Sequence, residues 1–237
     1  MPLSVGVLII GSLYWRNDVR EVWRQERLRR DRVWSVKAPI RYGKLSGPRK
    51  SRTYTMIFAN LCEEQLGRAK VVECKRAVTS ASDLISEAEW LWSAEENKRV
   101  RDSSPEHRIS PDREWGCVAL LRNPHKEISQ QLLDDWATRV AGEAHYRANE
   151  RRLVDSRGIL QLRWPDLSEG GSLALDLLLA TSNDAEPTFP TVQEIADAWK
   201  REPVERRAEY FHCNQDNGIS TFEDQAIGEY LRRRRPH

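Results

Sequence analysis

The chain has 237 residues and a mass of 27.5 kDa, with 38 Lys and Arg against 36 Asp and Glu, a net charge of +2, and 39% apolar residues. That length suits one medium domain or two small ones, and the apolar fraction suffices for a core beneath a heavily charged surface. The longest apolar runs, 7–10 and 173–180, fall far short of the ~18–20 residues of a membrane span. The first residues lack the basic, apolar and cleavage segments of a secretory signal, so a membrane-spanning or secreted disulfide scaffold is excluded and a cytoplasmic protein is expected.

The chain opens on residues 4–10, rich in Val and Ile and too short for a helix, which read as a buried strand. Gly11 and Ser12 end it. Asn17 or Asp18 then caps a helix, with Glu21 in capping-box position after Asp18 and helical spacing continuing to about Arg30. A basic loop covers 43–52. Residues 52–59 alternate and read as a strand, as do 67–74. Ser80 or Ser82 opens a helix reaching about Asn97, with Leu84, Ala88, Leu91 and Trp92 on one face. A polar loop is expected over 98–114, a buried strand over 115–121, and a long amphipathic helix over 125–152. Residues 158–164 read as a strand, and 172–180 as either strand or helix. Thr191 with Glu194, and Ser220 with Glu223, are capping boxes for two last helices, with a stop at Asn217-Gly218 between them.

Strands gather early and helices late. The expected fold is α+β, or mixed α/β: a small sheet or barrel-like domain over 1–122 with a mostly helical region over 123–237 packed on it. The four cysteines, Cys62, Cys74, Cys117 and Cys213, form no close pair. Structural zinc sites usually bring their ligands in such pairs, so reduced thiols, no metal and no cofactor are expected. His212 beside Cys213 is not a nucleophile pair, because adjacent residues on a helix point about 100° apart.

A strand ending in Gly11-Ser12-Leu13 and leading toward a helix is a place where backbone N–H groups converge, which suits an anion or an oxyanion. The order of elements around it, with a strand at 67–74, then a helix bearing Glu87, Glu89, Glu95 and Glu96, then a strand at 115–121, resembles the γ-glutamylcyclotransferase-like family. Members of that family carry a Tyr-Gly-Ser-(Asn)-Leu turn at the end of the first strand and a catalytic Glu on a helix downstream; Ile10 stands here where they have tyrosine. The resemblance covers about the first 122 residues. It implies that Gly11, Ser12 and Leu13 hold the γ-glutamyl part of a substrate. It also implies that Glu89, or failing it Glu87, moves protons while the α-amine attacks the γ-carbonyl and 5-oxoproline is released.

The stretch 41–52 carries Arg41, Lys44, Arg49, Lys50 and Arg52 with Tyr42 among them. Arg forks suit carboxylates and phosphates, so Arg41, Tyr42, Arg49 and Arg52 are candidate contacts to a small anionic ligand. The alternative is a non-catalytic module that binds a nucleotide or nucleic acid through this stretch, by phosphate contacts and aromatic stacking. A third reading is an interaction protein that docks a protein partner through its C-terminal helices.

Overall fold

The computed structural model describes residues 2–46, 53–97, 109, 116–141, 146, 153–183, 185, 187–203 and 208–232. The fold is α+β, with a five-stranded mixed sheet and a two-stranded hairpin among the described residues. In chain order the elements are β1 (Val5–Ile9), α1 (Val19–Arg27), β2 (Leu28–Ala38), β3 (Ile40–Ser46), β4 (Thr53–Phe58), β5 (Gly67–Cys74), α2 (Ala81–Glu95), β6 (Gly116–Arg122), α3 (Gln130–Val140), β7 (Leu177–Asn183), α4 (Val192–Lys200), α5 (Glu209–Asp216) and α6 (Asp224–Arg232). No helix among them is long and apolar enough to cross a membrane.

The large sheet runs β2-β5-β1-β7-β6. Every residue of β1 is buried, as a strand flanked on both sides must be when its faces are covered. It pairs antiparallel with β5 and parallel with β7, where Val5, Gly6 and Val7 stand opposite Leu177, Leu178 and Leu179. β7 is in turn antiparallel to β6. The expected division at residue 122 therefore does not fall between independent units: β7, from the C-terminal half, lies between β1 and β6, from the N-terminal half. The ambiguous run at 172–180 is strand from Leu177 onward. Of the strand expected at 158–164, residues 158–160 add a short parallel pairing to the outer edge of β6, and 159–161 pair antiparallel with 153–155. Residues 166–168 cover the outer edge of β2 in the same way, as exposed strand edges require.

Three other segments depart from the sequence expectation, each for a local reason. The first helix stops at Arg27, and Leu28, Val36 and Ala38 are buried in β2 instead; the edge of β5 needs a partner, and that tertiary demand overrides helical spacing. Residues 43–46 of the basic segment read as a loop belong to β3, hairpinned to β4. The third helix begins at Gln130 rather than near His125, because the Asn123 side chain accepts from the His125 N–H at 3.0 Å and makes a turn there.

α2 packs on β6 and β7, with α1 and α3 against it; α4 packs on β4 and on α6. The hairpin core is aromatic: Tyr42 meets Trp199 edge-on at 4.9 Å, and Trp199 meets Phe211 at 5.4 Å. The last helix is capped one residue later than the sequence suggested. Thr221 and Asp224 bond each other, with the Thr221 N–H to Asp224 Oδ1 at 3.1 Å, while Glu223 leaves the cap to pair with Arg41 at 3.0 Å.

Asp224 is buried, and loss of water pushes its carboxyl up to about 6, against the pull of the Thr221 hydrogen bonds. Between about pH 4 and pH 6 the folded chain therefore holds a proton that the unfolded chain has released. This contribution is fully present below about pH 4 and is lost as pH rises through 6. A carboxyl raised from the ordinary aspartate range to about 6 corresponds to about 3 kcal/mol. Asp224→Asn keeps an oxygen for Thr221 but cannot titrate. In urea denaturation across pH 4 to 7, its stability should gain about 3 kcal/mol relative to the wild type. Parallel curves for the two proteins would contradict this account of Asp224.

Candidate functional site

The chain leaves β1 through a tight turn. The Tyr14 N–H donates to the Gly11 carbonyl at 2.9 Å and the Arg16 N–H to the Ser12 carbonyl at 3.0 Å. Arg24 of α1 clamps the outside of this turn, donating to the Leu13 carbonyl at 2.6 Å and the Arg16 carbonyl at 2.8 Å. Among the described residues, no acceptor takes the N–H groups of Ser12 and Leu13. Unclaimed N–H groups in succession at such a turn form a concavity suited to an anion.

The turn forms one wall of a cavity of about 450 Å³. Glu95 of α2, Thr181 and Asn183 of β7, Met56 of β4 and Tyr210 of α5 also line it, as do Ser46 and Thr53 at the open end of the hairpin. Arg16, Arg20, Glu202 and Glu209 add charge of both signs. Residues from both halves of the chain thus make one site, because β1 and β7 are neighbours in the sheet.

Glu95 lies on the buried stripe of α2 with Leu84, Ala88 and Leu91, at helical spacing from them. The Thr181 hydroxyl donates to its Oε2 at 3.5 Å. A carboxylate in the last turn of a helix is disfavoured by the helix dipole, so helix stability does not account for an acid at this position. Arg20 compensates that end of α2. It is buried, donates to the Glu95 carbonyl at 3.4 Å, and is held by Asp18 at 2.5 Å.

The residues proposed from sequence fall into three groups. Gly11, Ser12 and Leu13 line the cavity. Glu87 does not: it forms a buried ion pair with Arg27, whose guanidinium also lies 5.1 Å from the Trp90 ring. Burial pushes the Glu87 carboxyl up, and Arg27 pulls it back. Glu89 is half-buried on α2 and is not among the cavity residues. The geometry of the helix explains both. Glu89 is turned about 120° from Glu95 around the axis, and Glu87 is about 12 Å away along it.

Arg41 and Tyr42 are also used elsewhere. Arg41 lies 4.3 Å from the Phe189 ring centroid and is paired with Glu223, fixing the hairpin to α6. Tyr42 is fully buried, and loss of water pushes its phenol up. Arg49 and Arg52 lie outside the described residues, although their described neighbours Ser46 and Thr53 border the cavity. Cys74 and Cys117 are buried core residues, while Cys62 is exposed and Cys213 half-buried.

Sequence reasoning missed Glu95, Arg20 and Tyr210. A signal existed for the first two. Glu95 occupies an apolar-stripe position of its helix, and Arg20 shares the buried face of α1 with Trp23 and Arg27. A charge on the inner stripe has to be explained by a partner or a ligand. For Tyr210, on a helix that local pattern did not announce, no such signal was present. Neither a family model, nor a curated protein, nor a solved structure matches the chain.

The Glu87 and Arg27 side chains are 4% and 5% exposed. Removing one partner of such a pair leaves the other charge buried, which costs about 3–5 kcal/mol. Glu87→Ala should lose that much in urea denaturation, and Arg27→Met combined with Glu87→Leu should recover most of it. A loss below about 1 kcal/mol for Glu87→Ala, the worth of an exposed pair, would show the pair to be dispensable.

Proposed function

We propose that the chain is a γ-glutamylcyclotransferase-like enzyme whose acid/base is Glu95. The observation that carries this reading is the shared cavity. Ser12 and Leu13, whose N–H groups meet no acceptor among the described residues, and Glu95 line the same space. The turn binds the γ-glutamyl part of a small anionic amide. The α-amine nitrogen attacks the γ-carbonyl carbon; Glu95 takes the proton that the amine sheds and returns it to the departing amine as the amide C–N bond breaks. The products are 5-oxoproline and a free amine, and Glu95 ends in its starting state. The Arg20 guanidinium, paired with Asp18, lines the same cavity.

Holding amine and carbonyl together makes the attack intramolecular, a large part of the barrier to aminolysis. Glu95 is the group whose protonation changes during the step. Glu95→Gln should therefore lower the rate of 5-oxoproline release from γ-glutamyl-alanine by about 10²–10⁴-fold while the melting temperature stays that of the wild type. No release by the wild type would end the cyclotransferase reading. Full activity in Glu95→Gln would remove Glu95 from it.

A further inference from the structure

Tyr210 is the cavity residue that nothing in the sequence anticipated, and its surroundings define what its hydroxyl does. The phenol oxygen stands directly against Gly11; a Cβ at position 11 would overlap it. Gly11 has no left-handed backbone conformation to require glycine, so the close approach of this oxygen accounts for the missing side chain. The oxygen accepts the Met56 N–H at 3.4 Å. Its own proton meets no acceptor among the described residues. The ring packs near Trp15, at 6.0 Å, and Tyr42, at 6.5 Å between centroids. Asn214, fully buried on the same helix, accepts from the Trp15 indole at 2.7 Å and places its amide near both phenols without closing a full hydrogen bond to either. The hydroxyl thus accepts one backbone N–H and keeps its own proton to donate, next to the turn that carries the unclaimed N–H groups.

We propose that the Tyr210 hydroxyl is the side-chain hydrogen-bond donor to the carbonyl oxygen of the acyl group under attack, completing with the Ser12 and Leu13 N–H groups a hole for the oxyanion. The proposal rests on the cyclotransfer reading of this cavity. As the amine adds to the carbonyl carbon, negative charge collects on that oxygen, and it returns to the C=O bond when the amine leaves. Tyr210 keeps its proton throughout and only donates. Loss of water, the largest influence on it, pushes the phenol up to about 12, so it remains a donor across the neutral range. Preorganised donors of this kind act in the transition state more than in the ground state. The C-terminal helices are therefore part of the catalytic apparatus, because α5 delivers this donor.

The test is the kinetics of Tyr210→Phe on γ-glutamyl-alanine. Loss of one oxyanion donor should lower kcat by about 10²-fold or more, with little change in KM and a wild-type near-ultraviolet circular dichroism spectrum. An unchanged kcat would overturn the proposal while leaving the cyclotransferase reading intact. Gly11→Ala provides a second variant. It should lose both stability and activity through overlap with the hydroxyl, and Gly11→Ala with Tyr210→Phe should regain the stability but keep the low kcat of Tyr210→Phe. Recovery of full activity in the double variant would also overturn it. If the wild type releases no 5-oxoproline, the cyclotransferase reading fails on its own, and binding of 5-oxoproline, followed by tryptophan fluorescence, decides for Tyr210. Roughly tenfold weaker binding in Tyr210→Phe, the worth of one hydrogen bond, supports a donor to the bound carbonyl; equal affinity, or no binding by the wild type, overturns it.

Discussion

A strand as apolar as β1 cannot bury its backbone unless both of its edges are hydrogen-bonded, because buried N–H and C=O groups without partners cost free energy comparable to a lost hydrogen bond. One edge is met by β5, from the same half of the chain. The other is met by β7, from the far half. Parallel pairing then puts the ends of β1 and β7 at the same edge of the sheet, so the turn after Ile9 emerges beside Thr181 and Asn183. The cavity exists because of this pairing, and the halves of the chain cannot be parted without opening it.

Two further constraints shape the cavity once the strands are paired. α2 lies across β6 and β7, and its inner stripe ends on Glu95 rather than on another apolar residue, which puts an acid among the residues that line the cavity with the turn. Arg20 donates to the Glu95 carbonyl at that helix end, and Arg24 holds the turn through the Leu13 and Arg16 carbonyls. On the opposite wall, the aromatic packing of Tyr42, Trp199 and Phe211 and the fully buried Asn214 fix α5 against the hairpin. Polar groups buried this deeply restrict the positions their neighbours can take, and Tyr210 takes its place between them.

What the sequence made legible was mostly local. The strands at 5–9, 53–58 and 67–74, and the caps at Asp18, Ser80 and Thr191, follow from alternation and capping chemistry and appear where those rules put them. β2 was hidden because its charged residues face water, and only the need of β5 for a partner makes it a strand. The Gly11-Ser12-Leu13 turn was visible as a motif. The glutamate that shares its cavity was not, since choosing among four glutamates on one helix requires knowing which stripe of that helix is buried. Arg41 illustrates the converse: in sequence it is a free cation in a basic run, and in space it is neutralised by Glu223, far along the chain. Pairings between distant segments carry no local signature, and they decide both which charges are available and which strand neighbours which.

The central claim is that a single cavity, built by both halves of the chain, holds the reacting group. Amide chemical shifts of the isotopically labelled full chain, recorded as 5-oxoproline is added, test it most directly. The account predicts that the shifts that move belong to Gly11, Ser12, Leu13, Glu95 and Tyr210 together, from three elements distant in sequence. Shifts confined to the basic hairpin residues 41–46, with the turn after β1 undisturbed, would contradict it.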